Sequence, residues 1–68
     1  MNSGILTKRE KVVFSLLVNN KTTKDIAGSL NISEKTVRNH ISNTMQKLGV
    51  KGRAAAVVEL IRLGEISL

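Results

Sequence analysis

The 68-residue sequence has no cysteine, no tryptophan and no tyrosine, and it carries a single phenylalanine, Phe14, and a single histidine, His40. Without cysteine there are neither disulfides nor thiolate metal ligands, and one histidine cannot supply a zinc site. No cofactor is therefore expected, and stability has to come from helix packing or self-association. A lone aromatic also removes the stacking platforms that hold single-stranded nucleic acids. Acids are scarce: Asp and Glu number 5 against 11 Lys and Arg, for a formal net charge of +6 and a pI near 10.4. That balance points to a polyanionic partner, and the missing aromatics favour a duplex read through its grooves. No apolar run approaches the roughly 20 residues of a spanning helix, and Met1 to Leu6 leads into charged residues instead of a signal-peptide core. The expectation is a soluble, cytoplasmic protein with no membrane partner. Nor do one histidine and scattered acids make a nucleophile, a base and a pocket, so no catalytic residue is expected.

What the chain does contain is organised around Ser33 to Leu48. Ser33 is placed to cap a helix by accepting a bond from a first-turn N–H, and Gly49 suits the left-handed residue that closes one. Stepping about 100° per residue puts Val37, Ile41, Thr44 and Leu48 on one stripe, with Met45 at its edge. That stripe is expected to face a core. The opposite side gathers Lys35, Arg38, Asn39, Ser42, Asn43 and Gln46, and from Lys35 to Val58 there is no Asp or Glu. A polar outer face is usually only solvated, but solvated faces mix both signs of charge, and this one does not. Asn, Arg and Lys also match the base edges of a DNA major groove, so this face is expected to read a duplex. His40 falls at the border of the two faces and reads as a half-buried histidine bonded to backbone.

Taken in order, residues 1–6 read as an arm with an apolar anchor at Ile5-Leu6, and residues 7–68 as one small domain that buries only about 60% of its unfolded surface. Thr7-Lys8-Arg9-Glu10 fits a capping box and starts a supporting helix of about eleven residues, its apolar side built from Val12, Val13, Phe14, Leu16 and Leu17. Leu6 and Val12 are candidates for a hydrophobic staple across its start. Asn19-Asn20-Lys21 breaks it. Thr23 is the expected cap of a short second helix through Ile26, Ala27 and Leu30. Gly28 inside it either permits a close approach or lies on the surface. Asn31 to Ser33 then forms a connection of the length found in a helix-turn-helix unit.

The last helix is expected from about Arg53 to Leu63, ended by Gly64. Its apolar residues, Ala54, Ala56, Val57, Val58, Leu60, Ile61 and Leu63, span an arc of roughly 220°, where packing on one side needs about 100°. Either this helix sits deep or a second molecule covers it, and self-association as a symmetric dimer is the favoured reading. The fold class expected is all-α: a compact four-helix domain containing a helix-turn-helix, with the last helix used for dimerisation.

Leu6-Thr7-Lys8-Arg9-Glu10, Thr23-Lys24-Asp25-Ile26-Ala27, Ile32 to Ile41, Lys47-Leu48-Gly49-Val50 and Arg53-Ala54 closely resemble the DNA-binding domain of the LuxR family. The resemblance runs from Leu6 to Leu63 and is strongest to a free-standing spore-formation regulator of that family. It implies a transcription factor, activator or repressor, bound to double-stranded promoter DNA and often touching RNA polymerase. By that resemblance Lys35, Arg38, Asn39, Ser42 and Asn43 read bases, while Thr23, Lys24, Thr36, Lys47 and Lys51 bind or position phosphates. Ala56, Leu60 and Leu63 of the last helix form the dimer contact. Nothing upstream of Ile5 matches the receiver or ligand-binding domains of larger members, so control by phosphorylation or a small signal molecule is not expected. The competing reading is a protein-interaction module whose apolar last helix binds a partner and whose charge holds nucleic acid without sequence preference.

Overall fold

The structure, a computed structural model, describes residues 5–67. It contains four helices: α1 (Lys8–Val18), α2 (Thr23–Leu30), α3 (Glu34–Leu48) and α4 (Arg53–Arg62). Most of the expected N-terminal arm, residues 1–4, lies outside the described residues, but its anchor Leu6 is buried in the core while Ile5 is half-exposed.

Most helix boundaries have a local cause; α4 alone starts without a side-chain cap, at Gly52. Thr7 Oγ1 accepts from the N–H of Glu10 at 3.1 Å, and the Glu10 carboxylate accepts from the N–H of Thr7 at 2.9 Å, which completes the capping box. At α2 the cap is Thr22, not Thr23. Thr22 Oγ1 accepts from the Asp25 N–H at 3.1 Å, and Asp25 accepts from the Thr22 N–H at 3.1 Å. The spacing decides between the two threonines, because only Thr22 has a carboxylate three residues on. Ser33 caps α3 by accepting from the Thr36 N–H at 3.0 Å. Gly49 closes α3 in the left-handed region at φ 70°, and its N–H reaches the carbonyls of Met45 and Gln46. Asn31 closes α2 with φ 58°, a conformation asparagine tolerates better than most residues, and so turns the chain toward α3 within three residues.

The core is a single cluster drawn from all four helices and both flanking segments: Leu6, Val13, Phe14, Ile26, Ala27, Val37, Ile41, Ala56, Leu60 and Ile66. Val37, Ile41 and Thr44 are the buried part of α3, with Met45 and Leu48 packed against the cluster, as the stripe on that helix requires. Thr44 satisfies its buried hydroxyl by donating to the His40 carbonyl at 2.9 Å. Of the two staple candidates, Leu6 is buried in the core and Val12 is half-exposed. Gly28 is a surface glycine with nothing within 4 Å of an added Cβ.

At α4 the three expected dimer residues divide. Ala56 and Leu60 are both 0% exposed within one copy, leaving them no surface to offer a partner. The apolar surplus lies elsewhere on the arc: Ala54 and Val58 are exposed, Val57 and Ile61 are half-buried, and Leu63 is exposed at the opposite edge. A helical wheel measures the width of an apolar arc but cannot say which part of it meets the core.

Candidate nucleic-acid interface

The α2–turn–α3 unit presents α3 with one side fixed in the core and the other free. Lys35, Arg38, Asn39, Ser42 and Asn43 are all exposed, while Val37, Ile41 and Thr44 behind them are fully or almost fully buried. The five expected base-reading residues therefore share one accessible face on a helix whose rotation is set by packing. His40 is half-buried at its border.

Electrostatics reinforce the asymmetry. Every acidic side chain is already engaged. Glu10 pairs with Lys47 at 2.6 Å, Glu34 with Arg38 at 3.4 Å, Glu59 with Arg62 at 2.6 Å and Glu65 with Lys11 at 3.5 Å. Asp25 is held by the Thr22 capping box, whose backbone and hydroxyl hydrogen bonds, with Lys21 and Lys24 nearby, lower its carboxyl pKa. Among the described residues Lys8, Arg9, Lys21, Lys24, Lys35, Lys51 and Arg53 have no ion-pair partner, and a surplus of unpaired cations attracts a polyanion.

The expected phosphate contacts divide. Thr23 is half-buried and Lys24 exposed in the first turn of α2, and Lys51 is exposed in the loop between α3 and α4. Thr36 is half-buried, with its hydroxyl 2.9 Å from Ser33 Oγ. Lys47 is committed elsewhere, because its ammonium donates to Glu10 Oε1 at 2.6 Å and so joins the last turn of α3 to the first turn of α1. Burial raises the Glu10 pKa, but the Lys47 and Thr7 hydrogen bonds outweigh it and leave the carboxyl below its ordinary 4.5. Sequence reasoning missed this pair because its partners lie 37 residues apart. It also missed Glu34, whose carboxylate reaches the edge of the reading face one turn before Arg38. The i,i+4 spacing was the available signal.

The profile described as "Bacterial regulatory proteins, luxR family" matches residues 4–60. The chain belongs to the LuxR family of bacterial regulatory proteins. This LuxR-family chain is 73% identical over 64 residues to the Spore germination protein GerE of Bacillus subtilis (strain 168), covering 94% of the chain and 86% of that protein. It is 45% identical to the Transcriptional regulatory protein DegU of Brevibacillus brevis, again over 94% of the chain but only 27% of that longer protein. Among solved structures, the transcription factor GerE superposes with a TM-score of 0.92 at 64% identity, covering 94% of this chain and 96% of that one. The response regulator ChrA of a heme-sensing two-component system superposes with a TM-score of 0.86 at 30% identity, covering 97% of this chain and 33% of that one. A LuxR-type helix-turn-helix with these relatives is a sequence-specific DNA-binding regulator of transcription, and its family is one of regulators, not of enzymes.

Proposed function

We propose that this LuxR-family chain acts in the bacterial cytoplasm as a dimeric regulator of spore-formation promoters, with promoter DNA and RNA polymerase as its partners. The likeness to the B. subtilis spore germination protein supports the spore assignment. The observation that carries the DNA-reading part is the face of α3. Lys35, Arg38, Asn39, Ser42 and Asn43 are exposed together on a helix whose other side is locked in the core. In this reading Arg38 takes the O6 and N7 of a guanine and Asn39 the N6 and N7 of an adenine, each pair discriminating by about 1–3 kcal/mol. Thr23, Lys24 and Lys51 hold phosphates and set the register of α3. Thr36 supports the Ser33 cap, and Lys47 acts through Glu10 instead of on DNA. Two copies joined through the outer face of α4 place their α3 helices in successive major grooves, about 34 Å apart.

The test is selection of bound duplexes from a random pool at about 0.15 M salt, repeated with Arg38→Ala. The expected result is an enriched motif of two half-sites that flattens at one position in the variant. Binding without enrichment would instead support a basic domain that holds DNA by charge alone.

A further inference from the structure

Of the four ion pairs among the described residues, three lie away from the reading face. Glu10–Lys47 joins α1 to α3, Lys11–Glu65 joins α1 to the C-terminal segment, and Glu59–Arg62 lies within α4. The fourth ties down a side chain of that face: Glu34 Oε1 lies 3.4 Å from Arg38 Nη1, with both side chains about half exposed. Glu34 is the only carboxylate of α3. An exposed i,i+4 pair stabilises a fold very little, so stability does not account for its placement against Arg38. A carboxylate in the first turn of a helix is favoured by the helix dipole, and that alone is the bland explanation.

We propose that Glu34 is a specificity-determining positioning residue: it holds the Arg38 guanidinium and offsets its charge, so that Arg38 is drawn to a guanine edge more than to phosphate. The inference rests on the reading of α3 as the base-reading helix. A guanidinium has five N–H donors, and Glu34 meets only Nη1 through one oxygen. Guanine O6 and N7 can be met by the remaining donors while Glu34 stays in place. A phosphate of random DNA met by those same donors stands beside the Glu34 carboxylate, and repulsion between the two anions disfavours that contact, whereas guanine is neutral. The pair therefore penalises the wrong contact and leaves the right one nearly untouched.

The experiment compares the wild-type chain, Glu34→Gln, Arg38→Ala and the double variant, on the duplex selected with the wild-type chain and on a scrambled duplex across a salt series. Circular dichroism confirms equal helicity. With Glu34→Gln, affinity for the scrambled duplex is expected to rise roughly fivefold at 0.15 M salt, and the salt slope to steepen by about 0.9, as one added phosphate contact dictates. The ratio of selected to scrambled affinity is expected to fall by a similar factor, and the effect to vanish in the Arg38→Ala background. An unchanged ratio in Glu34→Gln overturns the proposal. So does the same change with Arg38 already removed, since the carboxylate would then act on DNA by itself. If Arg38→Ala alone keeps the full wild-type preference, it is the base-reading role of Arg38 that fails.

Discussion

Glu10 brings a formal charge almost entirely out of water, and the side chains around it explain why this is tolerated. Its carboxylate accepts from the Lys47 ammonium at 2.6 Å and the Thr7 N–H at 2.9 Å. Replacing it by glutamine keeps the shape but leaves Lys47 without its counter-charge. Lys47 is about a third exposed, so water recovers part of the loss. Glu10→Gln is expected to destabilise the fold by about 2 kcal/mol, below the 3–5 typical of a fully buried pair, as measured by urea unfolding at pH 7. The same contacts predict a pH dependence. Because the folded carboxyl lies below its ordinary value of 4.5, the unfolded chain binds the proton first. The contribution is fully present above pH 4.5 and is lost as pH falls through the lower folded value. In urea midpoints measured between pH 6 and pH 3, the Glu10→Gln variant should show a shallower decline than the wild-type chain. Asp25 and Glu59, also lowered, supply what decline remains.

At the scale of the element, local chemistry settles where α1 begins and where α2 and α3 begin and end. Thr7, Thr22 and Ser33 each accept from an N–H three residues on, and Gly49 and Asn31 take the left-handed conformation that stops α3 and α2. The first three helices were legible from these signals because capping depends on neighbours three residues apart, and α4 from its apolar residues between Gly52 and Gly64. The α2 cap falls on Thr22 instead of the expected Thr23 because Asp25 stands three residues after Thr22. Gly28 is a position where local chemistry works against its helix. It lies exposed inside α2 with open space around it, so Gly28→Ala should stabilise by about 1 kcal/mol. In a domain of this size that is a rise of roughly 4–8 °C in melting temperature, readable by circular dichroism. No rise would mean that the backbone there needs the freedom of glycine.

On the scale of the whole molecule, the question is what covers α4. Val58 is 64% exposed on the side of the helix away from Ala56 and Leu60, with exposed Ala54 beside it and the half-buried Val57 and Ile61 between this edge and the core. If two copies meet there, Val58→Glu places a charge within an apolar contact while leaving the core untouched. The variant is expected to keep its helicity, to sediment as a monomer at concentrations where the parent chain is a dimer, and to lose cooperative binding to a two-half-site duplex. A single half-site should be bound about as well as before. Equal sedimentation of the two chains would remove α4 from the interface.

Periodicity and capping, which act within a few residues, determined the four helices, the length of the turn between α2 and α3, and the division of α3 into an apolar stripe and a polar face. The motifs from Leu6 to Leu63 were dense enough to indicate the family as well. Tertiary structure alone decided three things. It chose which part of the broad α4 arc enters the core, it committed Lys47 to Glu10 across 37 residues, and it drew Leu6 and Ile66 from the two ends of the chain into one cluster. The reason is common to all three. Each depends on which residues the packed helices bring together from distant parts of the chain, and a pattern read along one segment carries no information about what will lie opposite it.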